Sequence, residues 1–325
     1  MKILDDYIDY VQYVRRYSTR TVAIYTQILQ RFIAYNQVES DKELLDVLTP
    51  AQIRNYQVYL LDECKMQART VLQHLSALSA FSRYLISRDM LSANPISAVK
   101  RPKTKKRLPV FYRDEALERY FDDTAWWASR EALEQMKTGS EQPDKPDSAQ
   151  LYHQRLSRLI LSLLYATGMR RAEMIALNRS SFDRSRQTMT VKGKGDKMRT
   201  IPLVFSLFEE IVLYLNAVDS FIDCEKDADS PLLVTIKGKR LYPTFVDRVV
   251  KTELAGVKGI SGRLSPHVLR HSLATQLLGE GGDLNSIKEM LGHSSLAATQ
   301  VYTHNSVAQL SKIYQTAHPR AKKRR

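Results

Sequence analysis

The sequence predicts a mainly α-helical chain of two domains with one small β-sheet. Three observations carry that reading: a glycine-poor first hundred residues with repeated helix starts, a proline-bounded basic stretch at 100–107, and a single change from helical to alternating hydrophobic period near 189–203. At 325 residues the chain is long enough for two domains that each bury a core, and a hydrophobic content of 43% fits a globular protein.

Residues 1–99 read as a bundle of about four helices. In "STRTVAIYTQILQRFIAYN" Ser18 or Thr19 caps a helix whose apolar face is Val22, Tyr25, Leu29, Phe32 and Ile33. "TPAQIRNYQVYLLDEC" starts with Thr49 as cap and Pro50 at the first helical position, and a further helix follows in "ARTVLQHLSALSAFSRYLISRD". No internal repeat is evident. Residues 100–109, "KRPKTKKRLP", read as an extended linker with cations at Lys100, Arg101, Lys103, Lys105, Lys106 and Arg107. Residues 110–325 form the second domain. Helices resume at Asp114, "TGSEQPDKPDSA" at 138–149 is a surface loop, and "RLSRLILSLLYATG" is the most apolar helix, closed by Gly168. Met189–Val191 and Thr200–Leu203 are strands around the turn "KGKGDK", and the remainder is helical up to a basic tail.

Charge narrows the partner. The chain carries 49 Lys and Arg against 35 Asp and Glu, a formal +14, and residues 1–107 alone hold 17 basic and 10 acidic side chains. Such a field selects a polyanion, nucleic acid ahead of an anionic membrane surface. No run reaches the roughly 18 apolar residues that would span a bilayer, and the start "MKILDDYIDY" has no signal-peptide core, so a cytoplasmic protein is expected. Cys64 and Cys224 show neither CxxC nor ligand spacing. They predict small apolar packing residues, with no disulfide framework, metal site or cofactor.

The candidate chemistry lies in the second domain. "SPHVLRHSLATQLL" offers Ser265 and Pro266 as a helix start, with His267 and Arg270 on one face, Leu269, Leu273 and Leu277 on another, and His271 leaning to the core side. Upstream, "TGMRRAE" puts Arg170 just after a glycine turn, half-buried by position and in need of the anion that Glu173 offers, while Arg171 points elsewhere. Lys194 sits at the glycine-flanked hairpin tip, and "LGHSSLAATQVYTH" adds His293 and Tyr302. Singly, each is an ordinary surface side chain, and with 17 tyrosines a tyrosine near a histidine means little. Together they suit a pentacoordinate phosphorane, whose developing charge the arginines and histidines would share. Tyr302 would be the nucleophile, its phenol easier to ionise among cations, and Lys194 the general acid for a sugar alkoxide leaving group.

The order Arg170 in "TGMRRAE", Lys194 in "VKGKGDKMR", His267 and Arg270 in "HVLRH", His293 in "LGH" and Tyr302 in "VYTH" resembles the tyrosine recombinases, and the ending "IYQTAHPRA" is similar to their Xer branch. The resemblance covers nearly the whole chain. It implies a helical core-binding (SAM-like) domain at 1–99 and a catalytic domain at 110–325 that ends in a protomer-exchange helix, together a C-shaped clamp on duplex DNA. It also implies a 3′-phosphotyrosyl intermediate on Tyr302, paired inverted half-sites, and a homo- or heterotetramer that exchanges strands through a Holliday junction. Chromosome dimer resolution is the expected role, nucleoid-associated, with a second recombinase and a cell-division DNA translocase as possible partners. An integrase or invertase of a mobile or phase-variable element shares the chemistry and stays open. A type IB topoisomerase fits less well, because of the core-binding domain and the "HPRA" ending, and a catalytically silent architectural DNA-binding protein is the reading from a different class.

Overall fold

The computed structural model describes residues 1–103, 111–138, 147–193, 196–279, 281, 283, 287 and 290–292. The chain divides into two compact units, Met1–Leu108 and Pro109–Arg325. It is mostly helical with one three-stranded sheet, as the sequence predicts.

The first unit comprises α1 (Lys2–Asp9), α2 (Thr19–Tyr35), α3 (Asp41–Asp46), α4 (Pro50–Val58) and α5 (Ala68–Ile86). Ser18 is the cap of α2 and Thr49 that of α4, each hydroxyl accepting from the backbone N–H three residues on. Val22, Leu29 and Phe32 of the expected α2 face are buried, and Tyr25 and Ile33 pack partly buried beside them.

The structure corrects the expectation of no internal repeat. Helices α1 and α4 each continue into a five-residue π-helical turn, Tyr10–Val14 and Tyr59–Glu63, and each turn ends in a basic residue at φ +51°, Arg16 and Lys65. The closing hydrogen bonds match: Tyr17 N–H to Val11 O and Met66 N–H to Leu60 O, both 2.9 Å. Each turn is followed by Arg-Thr-Val, at 20–22 and 69–71. The aromatic core repeats with the same 49-residue offset that separates Tyr7 from Tyr56 and Arg20 from Arg69. Tyr7 packs edge-on against Phe81 at 5.0 Å and against Tyr84 at 5.2 Å; Tyr56 packs edge-on against Phe32 at 5.1 Å and against Tyr35 at 5.2 Å. Each hairpin thus inserts its tyrosine between the aromatics of the other, an exchange with two-fold character. The sequence signal is weak because apart from Arg-Thr-Val only scattered positions keep their residue type.

The second unit comprises α6 (Asp114–Asp123), α7 (Arg130–Thr138), α8 (Ser148–Thr167), α9 (Arg171–Ile175), β1 (Phe182–Asp183), β2 (Thr188–Lys192), β3 (Met198–Pro202), α10 (Phe205–Phe221), α11 (Pro243–Leu254) and α12 (Pro266–Gly279). The strands form an antiparallel sheet in the order β1-β2-β3, with Met189 opposite Ile201 and Val191 opposite Arg199. β1 is a strand the sequence reading did not include, too short at two residues to show alternation. Both ends of the expected 138–149 loop belong to helices, with Thr138 closing α7 and Asp147 capping α8 through a 2.7 Å bond to Gln150 N–H; residues 139–146 lie outside the described residues. The stretch 222–242, expected to be helical, is not: it carries turns and the isolated bridges Asn178–Pro231 and Val234–Arg240. Pro231 interrupts it, and Pro243 opens the helix that follows.

Helix α8 is central. Every residue from Arg155 to Thr167 is buried, which makes it a helix without a solvent face. α10, α11 and α12 pack against it. Gly168 ends it in the left-handed region at φ +61°, where an added Cβ would lie 2.4 Å from Leu291 Cδ2, so both backbone conformation and packing require glycine. Part of the polar surface that α8 buries is paired internally: Arg158 pairs with Glu210 at 3.3 Å and Ser162 donates to the same carboxylate at 2.9 Å, whereas Arg155 donates from Nη2 to Ser129 O at 2.6 Å and leaves Nε and Nη1 without a hydrogen-bond partner among the described residues. Cys64 and Cys224 are free thiols, each packed against its unit's core. Among the described residues no helix is long and apolar enough to cross a membrane.

Candidate active site

Arg170 occupies the N-cap of α9, immediately after the left-handed turn at Gly168, and its position follows from that turn. Its side chain is one-third exposed, and it is held from two sides. Nη1 donates to Glu173 Oε1 at 2.6 Å and Nη2 to the carbonyl of Gly292 at 2.8 Å. Glu173 also accepts from the Arg170 backbone N–H at 2.8 Å, the carboxylate half of a capping box. Arg171 turns away and pairs with Asp247 of α11.

Arg270 comes from α12. The sequence reading set it apart from the leucine stripe; the structure places it inside, at 8% exposure beside Leu269 and Leu273. A buried guanidinium needs acceptors, and two backbone carbonyls supply them: Gly168 O accepts from Nη1 and Leu291 O from Nη2, each at 2.6 Å. Helical period alone does not reveal these partners, which lie 102 and 21 residues away in sequence. His267 is exposed one turn earlier. His271 is exposed as well, a correction to its expected lean toward the core: it lies one turn after His267 on the solvent face, while the buried face runs through Leu269, Arg270, Leu273 and Leu277. The Ser265 carbonyl accepts from Val268 N–H at 3.0 Å, but the Ser265 hydroxyl is buried without a hydrogen-bond partner, so it is no side-chain cap.

Sequence reasoning missed Arg199. It lies on β3 with 6% exposure, donates from Nη2 to Glu173 Oε2 at 2.7 Å and from Nε to the carbonyl of Met290 at 3.0 Å. The signal that could have found it is alternation: in "MRTIP" Arg199 and Ile201 share the inward face of the strand, so a cation stands where an apolar residue belongs.

Three arginines from a loop, a strand and a helix therefore converge on residues 290–292, and Glu173 is their buried carboxylate. Burial alone would raise the Glu173 pKa, but hydrogen bonds from Arg199 and Arg170 outweigh it and hold the carboxyl below its ordinary range. Burial, with Arg170 and Arg199 nearby, pushes Arg270 down to about 10, still charged at neutral pH. Desolvation and the cations Arg171, Arg263 and Arg270 move His267 below the usual histidine range, so its imidazole is neutral at pH 7. The cluster of Arg170, Arg199, Arg270 and Glu173 keeps a net positive charge, suited to an anion. Lys194, His293 and Tyr302 lie outside the described residues, as do Lys105, Lys106 and Arg107; Lys100, Arg101 and Lys103 are exposed.

A model of the phage integrase family matches residues 134–309, and one of the phage integrase N-terminal SAM-like domain matches residues 3–91. Tyrosine recombinase XerC of Bacillus pumilus (strain SAFR-032) is 35% identical over 98% of this chain and 96% of its own length, and tyrosine recombinase XerC of Chlorobaculum parvum is 32% identical over 98% and 94%. The XerH site-specific recombinase bound to palindromic difH substrate shares the fold with a TM-score of 0.64, at 20% identity over 95% of this chain and 82% of that one. The chain belongs to the phage integrase family, within which it is a tyrosine recombinase. It is accordingly a DNA strand-transferring, site-specific recombinase.

Proposed function

We propose that this recombinase resolves chromosome dimers, cutting and rejoining duplex DNA at paired inverted half-sites as a homo- or heterotetramer. The observation that carries the chemistry is the convergence of Arg170 and Arg270 on the backbone just before His293. In the proposed reaction residues 1–99 and 110–325, joined by the basic linker 100–109, both contact the duplex. Tyr302 attacks the scissile phosphorus, its phenolic proton passing to the neutral imidazole of His267. Arg170 and Arg270, with His293, stabilise the non-bridging oxygens through donors left over from their structural bonds. The bond from phosphorus to the 5′-oxygen breaks, and Lys194 protonates that oxygen, leaving a 3′-phosphotyrosyl ester and a free 5′-hydroxyl. Rejoining reverses these steps on another strand, through a Holliday junction, with the ester bond conserving the energy.

The chromosomal role is supported by relatives named XerC that align along nearly the full chain. It implies a cytoplasmic, nucleoid-associated protein, with a second recombinase and a cell-division DNA translocase as partners. Mapping covalently trapped protein across the genome tests this reading. One site near the replication terminus is the expected result; inverted repeats flanking promoters, or the ends of a mobile element, would assign the chain to an invertase or integrase instead.

A further inference from the structure

Arg199 spends Nε and Nη2 on Met290 O and Glu173, and nothing in the reaction above requires it. Its surroundings are nevertheless the supports of the proposed catalytic groups. Its Nη2 bonds the same carboxylate, Glu173, that grips both the guanidinium and the backbone N–H of Arg170. Its Nε bonds Met290 O, three residues before His293. Gly292, at φ +67°, passes so close that an added Cβ would sit 3.1 Å from Arg199 Nη1. At Gly193, next to Lys194 in sequence, an added Cβ would sit 3.5 Å from that same Nη1 and 3.6 Å from Glu173 Oε1.

We propose that Arg199 is a positioning residue: one guanidinium fixes the carboxylate that aims Arg170, the backbone that leads into His293, and the base of the hairpin that carries Lys194. The proposal rests on the reaction assigned above. The planar fork matters, because Nε and Nη2 point at two different acceptors, and an ammonium can satisfy only one of them at a time. Glycine is demanded at 292 for the same reason, since the backbone must pass against the guanidinium face. With Arg199 removed, Arg170 keeps Glu173 and the Gly292 carbonyl as partners, but Glu173 loses the second cation that shares it. The carboxylate is then free to draw Arg170 out of register, and a small misplacement of a charge-stabilising group is costly to the transition state.

The test uses the full-length protein, a half-site duplex for binding and a nicked suicide substrate for single-turnover cleavage. Arg199→Lys keeps the charge and Arg199→Gln removes it. Both are expected to bind the half-site within about twofold of wild type and to cleave about 30-fold or more slowly, the scale of one lost charge-assisted hydrogen bond at a site where geometry sets the rate. Glu173→Gln combined with Arg199→Lys should be slower by less than the product of the two single defects, because the two side chains share one contact although each also has its own. Gly292→Ala crowds the guanidinium, but it also strains the backbone at φ +67° and disturbs the carbonyl that Arg170 uses, so a slower cleavage is expected from it without identifying Arg199 as the cause. Cleavage at the wild-type rate by a folded Arg199→Lys protein would overturn the proposal, and so would multiplying defects in the double variant. If Arg199→Gln does not fold, Arg199→Lys still decides. Wild-type protein that forms no adduct would instead refute the assigned reaction, which separates the two failures.

Discussion

Glu173 holds Arg170 at two atoms, the guanidinium at 2.6 Å and the backbone N–H at 2.8 Å, and it does so with a carboxylate that is 5% exposed. Since Arg199 shares that carboxylate, replacing Glu173 with alanine strands one buried and one half-buried cation. Stability should fall by about 3 kcal/mol, the scale of breaking a buried pair from one side. The pH dependence has a definite sign. The folded carboxyl titrates below its ordinary range, so its contribution is complete above the unfolded pKa of about 4.3 and is lost as pH falls through the lower folded value. In thermal melts from pH 7 down to pH 3 the gap between wild type and Glu173→Ala should narrow toward the acid end; a constant gap would contradict this account.

The duplicated hairpins of the first unit make a second prediction because their symmetry is imperfect. Tyr56 shares a 2.9 Å hydrogen bond with Nδ1 of the buried His74, whereas its counterpart Tyr7 buries a hydroxyl without a partner. Tyr56→Phe should therefore cost about 1 kcal/mol, while Tyr7→Phe should be neutral or stabilising. Equal losses in denaturant titrations would refute the distinction.

His74 itself supplies a third. Burial, aided by Arg31, pushes its pKa down to about 4, so the folded ring stays neutral while the unfolded one takes up a proton near pH 6.5. Stability is then complete above pH 6.5 and declines as pH falls toward 4, by at most about 3 kcal/mol. His74→Phe should flatten that part of the curve; an unchanged slope would show that other groups dominate it.

The linker gives a fourth. Lys100, Arg101 and Lys103 are exposed cations near the end of the first unit, after its last α-helix. If each meets a phosphate, neutralising one should lower the slope of log affinity against log salt by about 0.9, with cleavage of bound substrate unaffected. An unaltered slope would mean that these side chains are only solvated.

What the sequence discloses depends on how local the cause is. The caps at Ser18 and Thr49, Pro50 at a first helical position and the turn at Gly168 are settled by a few neighbouring residues, and each stands where the sequence places it. The paired grip of Glu173 on Arg170 was legible for the same reason, being three residues long. The burial of Arg270 was not legible, since its acceptors at Gly168 and Leu291 come from distant segments and a helical wheel carries no information about them. Arg199 is masked in sequence by the turn chemistry of the hairpin around it, although alternation along β3 marks it as an inward cation. The hairpin repeat escaped because the conserved quantity is a pattern of aromatic contacts between distant helices, Tyr7 on Phe81 and Tyr56 on Phe32.

The central claim is that Tyr302 is the nucleophile of a covalent strand transfer, and the most direct measurement is the adduct itself. Wild-type protein incubated with a suicide substrate labelled on the 5′ side of the break, in the strand segment that keeps the 3′-phosphate, should yield a labelled species that survives denaturation and is released as a peptide linked through Tyr302. Tyr302→Phe, which loses only the hydroxyl, should bind the same DNA with nearly unchanged affinity and yield no such species. A denaturation-resistant protein–DNA adduct from the phenylalanine variant would contradict the account.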